Sequence, residues 1–382
     1  MSLPILSALL VRPAPRGEGF ERESLTSWLH RLATANGFGS YGELFSYERL
    51  KIPSNAALDV APHSWQLMPA LQQLSQLRPG VAEGHGLTDE LQALSGDPTG
   101  SLRRWILTAD RRRGIEGTTC HAICPECLRE DAVPYWRRSW RLSMTTTCPK
   151  HRSLLVDVCP VCGASMSISG SRTVDIRHCE NCSRKLLSIP AQSRALQPLP
   201  AWRTTLPSIS GPQDFPVSLS CSHLWWDGIR CMLSVFMRPR VLAKLSHLNL
   251  PTPCADVVQT LAGSPRTEFD RQPVAIRHKL LHLADFLTAD WPHTFAGFMD
   301  KASITADEFA TCEVVMPHWL SVIVKTQLNR KRYRITDEEI SSAKALLHKR
   351  HAARSKIAIK RLLGVHEAMA LDRALPVRRR RL

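Results

Sequence analysis

The sequence contains no run of about 18 consecutive apolar residues, the length that a membrane-spanning helix requires. Residues 1–11 are apolar but carry no basic leader and run directly into the segment Arg12-Pro-Ala-Pro-Arg16, so no signal peptide is expected. No phosphate-binding loop, nucleophile–base pair or pair of catalytic carboxylates is evident. These absences argue against a membrane protein, a secreted protein and an enzyme with its own active site.

Aromatic residues are not abundant either, at 6% of the chain, and only 4 of them are tyrosines. Hydrophobic residues nevertheless reach 43%, which is ample for buried cores. A chain of 382 residues is too long for one ordinary core. We therefore expect two or three globular domains.

The most informative residues are cysteines and one histidine, arranged as four pairs. Two residues separate the members of each pair, which are Cys124/Cys127, Cys148/His151, Cys159/Cys162 and Cys179/Cys182. This spacing lets both side chains of a tight turn point at one ion, and two such turns complete the tetrahedron that zinc prefers. Sequential pairing predicts one site of three cysteines and a histidine, followed by an all-cysteine site. An interleaved pairing, as in RING-like ligases, is the alternative.

Both predicted sites use four protein ligands and leave no position for water, so we expect two structural rather than catalytic zinc ions per chain. A zinc deaminase would need H-x-E followed by Pro-Cys-x-x-Cys, whereas here the order is Cys-Pro-x-Cys and no H-x-E precedes it. Available thiolates indicate a reducing compartment, the cytoplasm. The remaining cysteines have no partner at this spacing and are interpreted as small buried apolar residues; they are Cys120, Cys221, Cys231, Cys254 and Cys312.

The formal net charge is +16. Seven thiolates outweigh the charge of two zinc ions by three, which leaves about +13 in the metal-bound protein. Residues 321–382 contain 17 Lys/Arg and only 5 Asp/Glu, so the charge is concentrated at this end. A basic region of this kind favours nucleic acid or another polyanion as partner.

Apolar periodicity predicts mostly α-helical, multidomain architecture. Ser24 begins one helix that stops at Gly37, and Ser40 begins a second, so residues 24–50 form either a helix-turn-helix or an ordinary helical hairpin. We predict an N-terminal helix-turn-helix-like domain over 1–118 and a tandem zinc-ribbon or zinc-finger unit over 119–190. A linker over 191–216 and a helical basic domain over 217–382 follow.

Two groups of residues are candidates for nucleic-acid contacts. Arg137, Arg138 and Arg141 alternate with aromatic residues and would either reach toward a phosphate backbone or stack over the tryptophans. The second group lies between and within the C-terminal helices and is the one we favour. Its members are Arg330, Lys331, Arg332, Tyr333, Arg334, Lys356, Lys360 and Arg361.

Several segments together resemble the TniQ/TnsD family of transposon target-selection proteins. They are Cys124-Pro-Glu-Cys-Leu-Arg-Glu-Asp131, Pro134-Tyr-Trp-Arg137, Trp140-Arg-Leu142, Cys148-Pro-Lys-His151 and Cys159-Pro-Val-Cys-Gly163, with an N-terminal segment from Glu23 to Gly37. They cover about the first half of the chain. The C-terminal half is similar only in being helical and basic.

The resemblance implies a non-enzymatic adaptor that links target DNA to the transposon AAA+ ATPase, which recruits the transposase. Target DNA is read directly in some members, and in others by an RNA-guided CRISPR effector on which the adaptor docks as a homodimer. All eight predicted ligands match the family's zinc ligands. A stand-alone zinc-containing transcription factor is the alternative function, and a RING-like ligase is a third.

Overall fold

The computed structural model describes residues 9–50, 58–59, 67–96, 104–107, 121–168, 175–190, 192–194, 222–248, 255, 258–261, 268–312, 314–328, 336–351 and 355–363. The chain divides into two compact units, Met1–Leu328 and Asn329–Leu382. Both are built mainly from helices, which confirms the predicted class. No helix in the described ranges combines the length and the apolar character needed to cross a membrane.

Short and medium helices make up most of the first unit. Its described helices are α1 Leu25–Ala35, α2 Tyr41–Tyr47, α3 Leu67–Ser75, α4 Thr88–Ser95, α5 Pro125–Glu130, α6 Ser222–Phe236, α7 Pro239–Leu245, α8 Val274–Thr288, α9 His293–Lys301, α10 Ala306–Phe309 and α11 His318–Gln327. Strand β1 (Ser153–Leu154) pairs antiparallel with β2 (Gln192–Arg194). Strand β2 lies in the predicted linker, whose other residues are outside the described ranges.

The first two helices begin where the sequence predicts. The Ser24 hydroxyl accepts a hydrogen bond from the Ser27 N–H at 3.1 Å, and the Ser40 hydroxyl accepts one from the Glu43 N–H at 3.2 Å. Each serine therefore satisfies a backbone donor that the helix start leaves unpaired. Between the helices, Gly37 has a φ of 83°, a left-handed conformation that glycine adopts without strain.

Two apolar cores hold the first unit together. The first joins α1, α2 and α3 to the tryptophans Trp136 and Trp140. In the second, Leu91 and Leu94 of α4 share a core with Trp226 of α6 and with the helices that follow. Segments that we predicted as separate domains thus contribute to the same cores, as far as Leu328. The predicted domain boundaries near 118, 190 and 216 remain predictions.

Helix α11 approaches α6 closely at Gly228. A Cβ atom added to Gly228 would lie 2.0 Å from Cζ2 of Trp319. The Trp319 indole also donates a hydrogen bond to the Leu224 carbonyl at 2.9 Å and stacks on Trp225 with 5.2 Å between ring centroids. Glycine is required here because the indole occupies the space of a side chain.

We predict that Gly228→Ala destabilises the protein by about 1–3 kcal/mol through displacement of the Trp319 ring. The cost of displacing the ring outweighs the gain of about 1 kcal/mol that alanine provides over glycine in a helix interior. Thermal unfolding monitored by tryptophan fluorescence measures the difference.

Gly297 of α9 is the matched control, because nothing lies within 4 Å of a Cβ built there. We expect Gly297→Ala to be neutral or stabilising by up to about 1 kcal/mol. Equal effects of the two substitutions would contradict the proposed contact between Gly228 and Trp319.

The second unit contains α12 (Asp337–Lys349) and α13 (Lys356–Leu363), which contact each other. Thr336 begins α12 with a capping box: its hydroxyl accepts from the Glu339 N–H at 3.2 Å, and its own N–H donates to the Glu339 carboxylate at 2.8 Å. Apolar side chains buried in this unit are Ile340, Ala343, Leu347 and Ile359.

Candidate metal centres

Three of the four ligand pairs occupy the same kind of turn. In each turn the N–H of the first ligand donates to the carbonyl five residues later, and the fourth residue after the ligand has a left-handed backbone. The first ligands are Cys148, Cys159 and Cys179, and the left-handed residues are Arg152 (φ 54°), Gly163 (φ 70°) and Ser183 (φ 58°). This turn directs both members of a pair toward one point.

The pair Cys124/Cys127 is held differently, at the start of α5. Cys124 immediately precedes the helix and Pro125 is its first residue, where a missing N–H costs no hydrogen bond. Cys127 lies in the first turn of the helix. The two sulfurs are therefore positioned by a helix end rather than by a hairpin.

The first cluster brings Cys124, Cys127, Cys148 and His151 together, with all ligand atoms within 4.8 Å of one another. The His151 Nδ1 atom lies 3.3 Å from the sulfurs of Cys124 and Cys127 and 3.5 Å from that of Cys148. The three cysteines are buried, in contact with the core of Trp136 and Trp140.

The second cluster brings Cys159, Cys162, Cys179 and Cys182 within the same limit of 4.8 Å. The Sγ–Sγ distance is 3.7 Å for Cys159 and Cys182, and also for Cys162 and Cys179. Cys159 and Cys179 are buried, whereas Cys162 and Cys182 are at least partly exposed. The structure thus groups the pairs sequentially, not in the interleaved order.

The ligand separations suit zinc. With Zn–S bonds of about 2.3 Å and Zn–N bonds of about 2.0 Å, a tetrahedron places two sulfurs about 3.8 Å apart and a sulfur and a nitrogen about 3.5 Å apart. The distances in the first cluster are 3.3–3.5 Å and those in the second are 3.7 Å. Both clusters can hold a metal ion, and their soft sulfur donors are consistent with zinc.

The three thiols of the first cluster differ in their pKa values. Hydrogen bonds from the Cys127 and Cys148 thiols lower the pKa of Cys124 to about 2. The same contacts with Cys124 raise the pKa of Cys127, and they raise that of Cys148 to about 12. A bound divalent cation would favour the thiolate form of all three sulfurs.

Glu130 lies beside the first cluster, and the ligand spacing did not identify it. Its carboxylate lies 3.0 Å from His151 Nε2 and 2.6 Å from Lys150 Nζ. A carboxylate on the outer nitrogen of a metal-binding histidine orients the ring and fixes which nitrogen faces the metal. The available signal was that Glu130 lies one helical turn after Cys127 on α5.

The arginines of the aromatic segment are buried, not directed toward solvent. Arg137 has 2% relative exposure, and its guanidinium forms ion pairs with Asp131 at 2.5 Å and Glu21 at 2.8 Å. Its Cζ atom lies over the rings of Tyr135, at 4.3 Å, and Trp140, at 4.9 Å. The stacking interpretation of Arg137 is therefore correct, and the phosphate-contact interpretation is wrong.

Arg138 and Arg141 are paired in the same way. The Arg138 guanidinium lies 2.5 Å from the Glu90 carboxylate, and the Arg141 Nε atom lies 3.5 Å from that of Asp59. Since all four side chains are buried, contact with a phosphate would require these ion pairs to break. The three arginines connect the metal-binding segment to other parts of the first unit.

A further buried pair joins the segment between the two clusters to α8. The Arg277 Nη2 atom lies 3.6 Å from the Asp157 carboxylate, and its Nε donates to the Gln272 carbonyl at 2.9 Å. Burial raises the pKa of Asp157, against the opposing charge of Arg277. No spacing in the sequence signals this pair.

The predicted nucleic-acid residues are only partly described. Arg330, Lys331, Arg332, Tyr333 and Arg334 lie outside the described residues. Lys356, Lys360 and Arg361 lie on α13, where Arg361 is exposed and the two lysines are half-buried. Cys231 is buried and Cys312 half-buried, whereas Cys120, Cys221 and Cys254 also lie outside the described residues.

Comparison with known families identifies one match. Residues 15–155 match the family model described as TniQ. The matched region includes α1 to α5 and the whole first cluster, and it ends before Cys159, where the second cluster begins. No curated protein matches the chain. The resemblance drawn from the sequence motifs is confirmed over the matched residues.

Proposed function

We propose, on the basis of the TniQ domain that this chain carries over residues 15–155, that it is a non-enzymatic target-selection adaptor of DNA transposition. A TniQ domain implies a transposition-associated role in target selection, and the family generally acts without catalysis. In this proposal the chain works in the cytoplasm and links target DNA to the transposon AAA+ ATPase, which recruits the transposase. An RNA-guided CRISPR effector is the second route to the target, and docking on it would use a homodimer.

The metal centres serve this role as structural crosslinks. Cys124, Cys127, Cys148 and His151 would hold one zinc ion, and the four cysteines of the second cluster would hold another. In each cluster the four protein donors would hold the ion and link separate chain segments, and they would leave no position for a reacting water. Glu130 would hold the His151 ring in place.

We assign the nucleic-acid contacts to the basic C-terminal end. The arginines near the first cluster are engaged with carboxylates, and α2, the second helix of the N-terminal pair, contains no lysine or arginine. In contrast, residues 321–382 carry 17 basic and 5 acidic residues. Phosphate contacts from such a region provide affinity and orientation without reading sequence.

The triple variant Lys356→Gln/Lys360→Gln/Arg361→Gln tests this assignment. The plot of log affinity against log salt concentration has a negative slope, which becomes shallower by about 0.9 for each phosphate contact that is lost. The slope of the triple variant should therefore be shallower by up to about 3. Fluorescence anisotropy with labelled duplex DNA, at several salt concentrations, measures it. A second variant with glutamine at 330, 331, 332 and 334 tests the other half of the group.

Lys301→Gln is the control, since Lys301 is an exposed basic residue of the first unit. It removes one positive charge but should leave the salt slope unchanged. If the triple variant had the same salt slope as the wild type, the DNA contacts would not lie on α13.

Reconstitution tests the adaptor role itself. The purified chain should increase the amount of ATPase that is recovered on immobilised target DNA, either alone or only when the guide complex is added. These two results distinguish direct from RNA-guided targeting. Tight sequence-specific DNA binding with no effect on the ATPase would instead favour a stand-alone transcription factor. Failure to bind DNA, ATPase and effector would disprove the proposal.

A further inference from the structure

Two histidines of α8 lie against each other, outside both cysteine clusters. His278 and His282 are four positions apart in the sequence, a spacing that places both side chains on one face of a helix. Their Nε2 atoms are 3.2 Å apart, and their ring centroids are 4.6 Å apart with an angle of 80° between the rings. One nitrogen of each ring is therefore close enough to the other for both to bind the same ion.

The distance between the two nitrogens suits a transition-metal ion. Metal–nitrogen bonds of about 2.0–2.1 Å place two nitrogens about 3.4 Å apart around a tetrahedral ion, and about 3.0 Å apart at neighbouring positions of an octahedral ion. The observed distance of 3.2 Å lies between these values. Zinc metalloproteases bind their ion through two histidines at this same helical spacing.

The surrounding structure holds the His278 ring in place. His278 is buried, and its Nδ1 atom lies 3.0 Å from the hydroxyl oxygen of Thr146, which is also buried. When the Nδ1–H donates to this oxygen, the lone pair of the ring is on Nε2, the nitrogen that faces His282. The Leu155 N–H in turn donates to the Thr146 carbonyl at 2.9 Å. His282 is half-buried, which gives an ion access from solvent.

We infer that His278 and His282 form a third metal site, which takes a borderline divalent cation such as Zn²⁺ or Ni²⁺. The ion replaces the hydrogen that the two Nε2 atoms share in the metal-free pair, and His282 then carries its proton on Nδ1. In the part of the chain that the structure describes, the clusters of three or more potential ligands are the two cysteine clusters. The new site thus supplies two protein donors, and water fills the other positions.

A site with two protein donors differs from the cysteine clusters in how it loads. It should bind its ion more weakly than a cluster with four donors, so it should load after the clusters and lose its ion first on desalting. The ions of the clusters then stay in place while the third ion is added or removed. Because this ion binds the folded chain, it should also raise the unfolding temperature.

Nickel binding to the full-length, zinc-saturated protein tests the inference. The protein carries no affinity tag and is desalted to remove loosely bound metal. Equilibrium dialysis against nickel chloride, followed by metal analysis, should find about one nickel ion per chain beside an unchanged amount of zinc. The nickel-loaded protein should unfold at a temperature a few degrees above that of the desalted protein.

Single substitutions remove one donor each. His278→Gln and His282→Gln should each weaken nickel binding by more than about tenfold, since losing even a group that supports a ligand costs about 10–100-fold in metal affinity. His282→Gln is the more informative variant, because replacement of a half-buried side chain disturbs the core less. Zinc content and the unfolding temperature without nickel show whether each variant is folded.

The hydrogen bond that positions His278 has its own test. Thr146→Val should weaken nickel binding by about tenfold or more, whereas Thr146→Ser keeps the hydroxyl and should retain the wild-type affinity. Equal nickel affinity in these two variants would overturn the positioning role of Thr146.

The matched control is His348→Gln/His351→Gln, which removes two exposed histidines near the end of α12. It should retain the wild-type nickel affinity. Three results would overturn the inferred site: equal nickel binding by the wild type and His282→Gln, loss of nickel from the control variant, or nickel uptake matched by an equal loss of zinc. The last result would place the nickel in a cysteine cluster.

Discussion

Replacing Cys127 with serine is expected to lower the bound zinc from two ions per chain to about one and to destabilise the centre of the first unit. Three ligands would remain, and Cys124 and Cys148 are buried in the core of Trp136 and Trp140. The apparent binding energy of a structural zinc ion is roughly 10–16 kcal/mol and is part of the folding energy. Metal analysis and thermal unfolding of the same sample measure both effects.

Cys312→Ser provides the control, because it removes a thiol that lies outside both clusters. It should retain two zinc ions per chain. If Cys127→Ser also retained two, Cys127 would not be a ligand.

A double variant distinguishes sequential from interleaved ligand pairing. In the observed grouping Cys127 and Cys148 belong to one cluster, so Cys127→Ser/Cys148→Ser should keep about one zinc ion. In the interleaved order these residues would serve different ions, and the double variant would lose both. Cys127→Ser/Cys162→Ser should lose both zinc ions, since these residues lie in different clusters of the structure. In the interleaved order they would share one ion, and this variant would keep about one.

The second large effect is expected for Arg138→Met. Arg138 pairs with Glu90 at 2.5 Å and donates hydrogen bonds to the carbonyls of Gly84, at 2.9 Å, and Gly86, at 3.0 Å. Methionine fills similar space but leaves the buried Glu90 carboxylate without its cation. Breaking a buried ion pair from one side costs about 3–5 kcal/mol, which urea unfolding can measure.

The size of this effect should depend on pH. Burial already raises the pKa of Glu90, while the charge of Arg138 opposes the shift, so removal of Arg138 should raise this pKa further. The folded variant then binds the proton more tightly than the unfolded chain does. Its stability is greatest below the unfolded pKa and is lost as pH rises through the folded pKa.

Arg138→Met should therefore differ from the wild type more at pH 8 than at pH 5. The double variant Arg138→Met/Glu90→Gln should recover part of the stability and lose this pH dependence, because no charge remains buried. An Arg138→Met variant as stable as the wild type at pH 8 would show that the pair is not formed.

Local features were predictable because their causes lie within a few residues. Ser24 and Ser40 cap helices, and Thr336 and Glu339 form a capping box, since each hydroxyl bonds a backbone N–H three residues along.

The sequence predicted which residues form the candidate metal centres, but not which other residues surround them. The two-residue spacing identified all eight side chains that the structure brings into two clusters able to hold a metal ion. It did not identify Glu130 beside His151, nor the burial of the three cysteines in the first cluster. Those depend on how α5 packs, which ligand spacing does not describe.

What the sequence by itself determined is the mostly helical class, the ligand pairs, the basic C-terminal end and the resemblance confirmed over residues 15–155. The tertiary structure alone decided which charges are available to a partner. Arg137, Arg138 and Arg141 look like a phosphate-binding group in the sequence, yet their carboxylate partners come from residues as distant as Glu21, Asp59 and Glu90. Only folding brings such residues together, and burial makes each pairing necessary because an unpaired charge in a core is strongly unfavourable.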